Sequence, residues 1–506
     1  MLLPQRLTNM RLLPILVVFV VCIFLLTTAR FRHSSFVHSI SHKLAGDQSK
    51  HDEKPLDDKT QKFQPPHAPS ERPPLAPGEC IPEVEFLRRA ELGLSDNIVY
   101  SRRCIRPIGT DKVDRDVVAN ISRPLINHKT TINLTSCSHV EFVPCDHLPL
   151  HVPFAYPEEQ YDHFVFGVST TYKRLGDSLP AFAHWLTGTK ATLVAVIVDA
   201  EKDGEAKNLT ALEELYAQSD VILSTAKGNA SLTTDQNHFT MLKDILDATT
   251  PNTKWVGVLD DDTFFPSLYP LNQALKTYDH TKSLWLGALS EDFGSVRSWG
   301  FMAFGGAGIF LTMSLARQLE PYIHQCIAEA RLPTGDAILR DCVYDHSTTK
   351  LTLVPGLFQH DMHGDVSGFY ESGVRPLSLH HWKSWYKEPV DKMAAVTGIC
   401  GDCFLQRWQF GEDTLFANGY SISLYRNGVE SVDLSRMEGS WHPHGPEYDF
   451  SVGPLRPKLG KDEKRSYRLK DVQLTETGGF RQIYVYKADW EAGEEMDEVV
   501  ELLWES

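Results

Sequence analysis

Between about residue 160 and residue 280 the chain alternates short apolar runs with segments whose apolar residues recur at helical spacing. HFVFGVS (163–169) is a short β-rich run, and a helix-compatible segment follows from Gly176 to Leu186. TLVAVIVDA (192–200) is apolar at almost every position, the pattern of a strand buried on both faces, and the helical NLTALEELYAQS comes after it. DVILST (220–225), the helical HFTMLKDILDA (238–248) and the strand-like KWVGVLDDD (254–262) continue the alternation, and SLYPLNQALKTY follows. This order predicts a parallel-type α/β sheet covered on both faces, set within a domain of residues 156–390. No GxGxxG fingerprint follows the first strand, so a dinucleotide-binding fold is not expected. After about Lys387 the texture changes. GYSISLYRNG, RLKDVQL and RQIYVYKADW alternate with turn signals, which predicts an appended β-rich region over 391–506.

The N-terminal pattern is of another kind. LLPILVVFVVCIFLLTTA (12–29) carries no charge and lies between Arg11 and Arg30. As a helix at ~1.5 Å per residue it would span roughly 27 Å, close to the apolar thickness of early secretory membranes. The run exceeds the ~7–15 residues of a cleaved signal core, so a retained signal-anchor is expected behind a cytoplasmic tail of residues 1–11. Residues 30–79 are polar and end in FQPPHAPSERPPLAPGE, which reads as a flexible stem with a reach of ~40 Å. Residues 80–155 form a cysteine-containing N-terminal region.

Orientation comes from chemistry after the anchor. Asn-X-Ser/Thr occurs at Asn120, Asn133, Asn208 and Asn229. Cys22 lies in the anchor, and eight cysteines remain beyond it: Cys80, Cys104, Cys137, Cys145, Cys326, Cys342, Cys400 and Cys403. An even number fits disulfides in an oxidising lumen, with the connectivity open. Cys400-X-X-Cys403 lacks a second CxxC, so a disulfide is expected there rather than zinc. The expectation is a single-pass type II protein of the Golgi or endoplasmic reticulum membrane, with its bulk in the lumen. Over 506 residues the formal net charge is -16, which argues against a general nucleic-acid binder.

The candidate chemistry starts at WVGVLDDDTFF, where a strand ends in Asp260, Asp261 and Asp262. Ligands of open α/β sheets sit beyond the carboxyl ends of strands. Two carboxylates ~4 Å apart repel by about 4 kcal/mol at an effective dielectric of 20. Solvent in an acidic turn would relieve this, and so would a divalent cation. An added imidazole tilts the choice toward Mn²⁺. PLSLHHWKSW (376–385) reads as a short strand ending in His380 and His381, which otherwise would pack against Trp382 or Trp385. FGGAGIFLTMSLARQL (304–319) puts Gly305, Gly306 and Gly308 before a helix-like stretch, where backbone can approach a ligand or another element. TGDAILRDCVYD (334–345) puts Asp336 at a helix start, as a cap or as a functional acid.

The order of these stretches resembles the Fringe-like β-1,3-glycosyltransferase superfamily, in its fungal and plant branch of the DUF604 type. FGVSTTYKRLGDSLPAFAHWL, WVGVLDDDTFF, FGGAGIFLT, GDAILRDC and PLSLHHW are similar to five motifs of that family in the same order, from about His163 to Trp385. The continuation CFLQRWQFGEDTLFANGYSISLY is similar to the DUF604-type branch. The resemblance implies a GT-A-like, Rossmann-like nucleotide-sugar domain, a UDP-sugar donor, Mn²⁺ (or Mg²⁺), a glycan or glycoprotein acceptor and inversion at the anomeric carbon. It implies Asp262 and His380 as metal ligands, with His381 as the alternative, and Asp336 as general base, with Asp341 and Glu329 as alternatives. Asp260, Asp261, Thr170, Arg174 and Asp199 would meet the donor, and Gly305 and Gly306 would flank sugar or acceptor. Two rival readings are a non-catalytic glycan binder with this fold and a metal-dependent hydrolase. The hydrolase would need a second cluster, for which HDMHGD (360–365) is the candidate.

Overall fold

The computed structural model describes residues 80–137, 140, 145–202, 205–442, 449–475 and 478–505. The tail, the anchor of residues 12–29 and the stem expected from the sequence lie outside the described residues. No helix among the described residues is long and apolar enough to cross a membrane.

The apolar runs of the middle region become a seven-stranded sheet. Its strands are β1 (Phe164–Thr170), β2 (Thr192–Ile197), β3 (Ile222–Lys227), β4 (Trp255–Leu259), β5 (Trp285–Gly287), β6 (Ile309–Thr312) and β7 (Leu351–Leu353). They lie in the order β3-β2-β1-β4-β6-β5-β7. β1 to β4 run parallel, β6 runs antiparallel to β4 and β5, and β7 is parallel to β5. The four strands read from the sequence are all present. β4 is buried at every position, because helices cover both faces of a parallel sheet. Successive residues of β1 serve opposite faces. Phe164, Phe166 and Val168 join one core with Phe182, Trp185 and Phe265, whereas Val165 joins another with Met241, Ile245 and Ile338.

Local chemistry sets boundaries that periodicity missed. The segment expected as one helix from Gly176 is two: α1 (Tyr172–Asp177), capped by Thr171, and Leu179–Leu186, with Pro180 in its first turn. The helix expected from His238 begins earlier, as α2 (Thr234–Asp247), because Thr233 and Gln236 form a capping box. After the glycine run comes a strand, β6, with the helix starting only at Met313. Asp336 does open a helix, α3 (Gly335–His346). PLSLHH forms no strand. It makes one bridge, Leu379 to Phe264, and His381 then turns with φ +58°.

The second sheet has ten strands and joins the two ends of the chain. Asn97–Gly109 runs parallel to Asp497–Trp504, in register from Ile98–Asp497 to Ile105–Trp504. The N-terminal region (80–155) and the C-terminal β-rich region (391–506), read separately in the sequence, therefore share one sheet. Trp408, Trp504 and Leu148 of this sheet belong to the same core as Phe164 and Leu193 of the first. Disulfides join Cys80–Cys137, Cys104–Cys145, Cys326–Cys342 and Cys400–Cys403. Asn120, Asn133, Asn208 and Asn229 are all exposed.

Candidate active site

β4 delivers the three aspartates to the carboxyl end of the sheet, and the chain turns there. Asp260 N donates to Thr263 Oγ1 at 3.1 Å, and Thr263 N to Asp260 O at 3.1 Å. The triplet is not a solvated acidic turn, since Asp261 and Asp262 are only 6% and 5% exposed. Its side chains part ways. Asp261 faces α1, where Thr170 donates to it and Arg174 clasps it with two nitrogens, Nε at 2.6 Å. A bidentate guanidinium neutralises this carboxylate. Asp260 and Asp262 face the other way, toward His380, whose Nε2 stands 3.2 Å from Asp260 Oδ2 and 3.0 Å from Asp262 Oδ1.

His380 is fully enclosed, and its Nδ1 bonds the Gln359 carbonyl at 3.0 Å. A carbonyl only accepts, so Nδ1 carries the proton and Nε2 is the atom left to face the carboxylates. Burial works to lower this imidazole, but Asp262 and Asp260 hold it well above its ordinary range. Asp262 is correspondingly lowered: burial would raise it, and His380 overrides that. His381 stacks face to face on Trp385 at 3.7 Å, and its Nε2 meets Asp361 Oδ1 at 3.0 Å. Ligand atoms of Asp262, His380 and His381 all lie within 4.8 Å of one another, a group that can hold a metal ion. One carboxylate with two imidazoles, the first fixed in the tautomer that points Nε2 inward, is a donor set suited to a divalent transition metal.

Asp336 enters from the start of α3. Its Oδ2 accepts from Gly305 N at 2.7 Å, and its buried Oδ1 has no hydrogen-bond partner. Burial is the main reason its acidity is displaced, up to about 6, with nearby Asp260 adding to it and His238 opposing it. His238, from α2, bridges the two acids: Nε2 is 3.1 Å from Asp260 Oδ1 and Nδ1 is 4.0 Å from Asp336 Oδ1. Burial acts to lower His238, yet Asp260 and Asp336 bring it up to about 9. The glycine turn is the floor of this cluster. A Cβ on Gly305 would stand 2.7 Å from Asp336 Oδ1, and one on Gly306 only 2.1 Å from His380 Nδ1.

The structure therefore brings together Asp260, Asp262, His380, His381, Asp336, Gly305 and Gly306. Thr170 and Arg174 are tied to the cluster through Asp261. Asp199 is further along the same sheet edge, after β2, accepting from Tyr172 N at 2.8 Å and pairing with Lys207 at 2.7 Å. Of the alternative acids, Asp341 is taken by Arg331 and Arg340, at 3.1 and 2.8 Å. Glu329 ends the separate helix Ile323–Glu329, where Gln325 donates to it. The HDMHGD loop does not act as a unit. His360 is enclosed beneath Tyr386, Asp361 serves His381, His363 stacks on Trp385 and Asp365 pairs with Lys458. Sequence reasoning missed His238, Gln359 and Lys383, whose Nζ bonds Ser178 beside Arg174, and it read Asp361 as part of a second cluster rather than as the partner of His381. Only His238, a polar residue within an apolar helix face, offered any signal.

A mixed α/β sheet with an acid–imidazole cluster at the carboxyl ends of its parallel strands is the class that fold and site define. Residues 296–395, which carry the glycine turn, Asp336 and both histidines, match the family described as "Protein of unknown function, DUF604". No curated protein matches the chain. Among solved structures, mouse xyloside xylosyltransferase 1 in its apo form overlaps at 8% identity, covering 38% of this chain and 85% of that one, with a TM-score of 0.27. Galactosyltransferase LgtC, in complex with donor and acceptor sugar analogs, overlaps at 9% identity over 45% of this chain and 81% of that one, with a TM-score of 0.27. The 4-diphosphocytidyl-2C-methyl-D-erythritol synthase of Anaerococcus prevotii overlaps at 13% identity over 38% and 90%, with a TM-score of 0.25. These overlaps are shallow, and the fold described above stands on this chain's own topology.

Proposed function

We propose that this protein is an inverting glycosyltransferase of the GT-A type. It would move a sugar from a UDP-sugar donor to a glycan or glycoprotein acceptor, with a β-1,3-type linkage suggested by the sequence resemblance. The observation that carries the reading is the Asp262–His380–His381 group beside Asp336, whose buried Oδ1 has no hydrogen-bond partner. Asp336 takes the proton of the acceptor hydroxyl while that oxygen forms its bond to the anomeric carbon. The bond from that carbon to the diphosphate breaks in the same step, and UDP leaves with the electron pair. A base poised near neutrality suits this, with a contribution of typically 10²–10⁴ in rate. Mn²⁺, held by Asp262 with His380 or His381, would supply charge stabilisation for the departing diphosphate. Arg174 pairs with Asp261 and is half-exposed, where it can meet the nucleotide. Asp260 and His238 set the charge around Asp336.

The anchor of residues 12–29, the four exposed sequon asparagines and the four disulfides support a type II protein of the Golgi or endoplasmic reticulum membrane with this site in the lumen. The test uses the full chain in detergent with disulfides intact. UDP release is followed across a panel of UDP-sugars with Mn²⁺, with and without EDTA, beside Asp262→Ala and Asp336→Asn. Metal-dependent release with one sugar, lost in both variants, supports the reading. UDP–Mn²⁺ binding without turnover on any donor or acceptor would favour the non-catalytic glycan binder. No UDP binding at all would sink both.

A further inference from the structure

The loop of residues 359–361 touches both histidines and the glycine turn. The Gln359 carbonyl fixes His380 Nδ1, and the Gln359 side chain accepts from Ala307 N in the glycine turn at 3.0 Å. Asp361 Oδ1 orients His381 at 3.0 Å. The loop is itself held from one place. Gln359 N and His360 N donate to the two oxygens of Glu291 at 2.9 and 2.7 Å, and Ser290 Oγ donates to Asp361 Oδ2 at 2.7 Å. Glu291 is 5% exposed, and among the described residues no cationic side chain pairs with it. A buried carboxylate without a cation is costly for stability alone. What it gains here is the placement of two successive amides, with His360 held at φ +62°.

Glu291 is fixed in turn from the other sheet's side of the molecule. Asp292 and Phe450 form an antiparallel bridge, Ser451 N donates to Glu291 O at 2.8 Å and Phe293 N to Asp449 O at 2.9 Å. These residues, 449–451, belong to the C-terminal β-rich region.

We propose that Glu291 is a positioning residue for His380 and His381, and that residues 449–451 brace it, so that the C-terminal region is part of the site's architecture. The proposal rests on the metal reading above only for its consequence, not for its geometry. An imidazole's strength as a ligand depends on which nitrogen carries the proton and where the ring points, and the group that fixes both sits one bond from Glu291's amide contact.

Two variants of the full chain test this. Glu291→Gln keeps the shape but turns one acceptor into a donor facing an N–H. Ser451→Pro removes the bracing N–H and leaves Glu291 chemically intact. Hydrogen–deuterium exchange is read on peptides covering 357–362 and 378–386, and Mn²⁺ binding with UDP is read by electron paramagnetic resonance. Both variants should speed exchange on both peptides by about tenfold or more, leaving the ten-stranded sheet's peptides unchanged. Mn²⁺ affinity should fall ~10–100-fold. Unchanged exchange over 378–386 in Glu291→Gln overturns the proposal, whatever the metal does. If the unaltered protein binds no Mn²⁺ while exchange responds as expected, the metal reading fails and the positioning link stands.

Discussion

Both sheets bury charge, but they settle it differently. In and against the ten-stranded sheet, buried carboxylates are closed off by cations. Lys464 lies between Glu371 and Glu438, 2.7 Å from each, and Arg456 adds a second cation to Glu438 at 2.8 Å. Ser421 and Ser423 take Glu371's other oxygen. Glu501, fully enclosed, is met by Arg102, Arg481 and Tyr100. At the carboxyl end of the seven-stranded sheet Asp261 is closed in this way by Arg174, and Asp199 by Lys207. Asp260, Asp262 and Asp336 have imidazoles and backbone around them, and Asp336 Oδ1 accepts no hydrogen bond, with His238 Nδ1 4.0 Å away. The lesson is that burial of acids does not mark function by itself. What marks it is a set of buried acids whose neutralisation is left to groups that can change charge or to something that arrives.

Four outcomes would break or sharpen this contrast. The largest is expected from Asp336→Asn, which should cut turnover by ~10²–10⁴ while sparing nucleotide binding. UDP release at saturating donor measures it, and an unaffected rate would remove Asp336 from the open set. Next, Lys464→Met should leave two carboxylates buried without their shared cation and cost ~3–5 kcal/mol in denaturant unfolding. The folded fraction should keep its rate per molecule, and a loss of rate at full folding would blur the two regions.

Third, Asp336→Asn should stabilise the protein near neutrality. An acid raised to about 6 in the folded state opposes folding above that pH, and the opposition disappears as pH falls through 6 toward the unfolded value near 3.8. The gain should be ~1–3 kcal/mol at pH 7.5 and should vanish near pH 4, read as the difference in melting temperature between variant and parent. Destabilisation at pH 7.5 would mean that Asp336 is a structural member of its network. Smallest is the pH limb of the parent's turnover, which should fall tenfold per unit below about pH 6 as Asp336 takes up a proton. A limb placed near pH 4 would mean that the base is an ordinary exposed carboxylate.

The sequence by itself determined the local elements and the chemistry within one segment. The apolar runs at β1, β2, β3 and β4 were readable because burial on both faces leaves a continuous signature that needs no partner to be seen. The aspartate triplet, the glycine run, the helix-opening Asp336 and the paired histidines were readable as types in an order. Tertiary structure alone decided which of them meet. Asp262 and His380 are far apart along the chain, and the bridge between Phe264 and Leu379 brings them together, 3.0 Å from each other. Glu291 carried no local mark, because its role exists only through the residues opposite it. The sharing of one sheet by the two ends of the chain was equally invisible. Strand pairing is specified by the faces of both partners, and a strand read alone states its own face but not its neighbour.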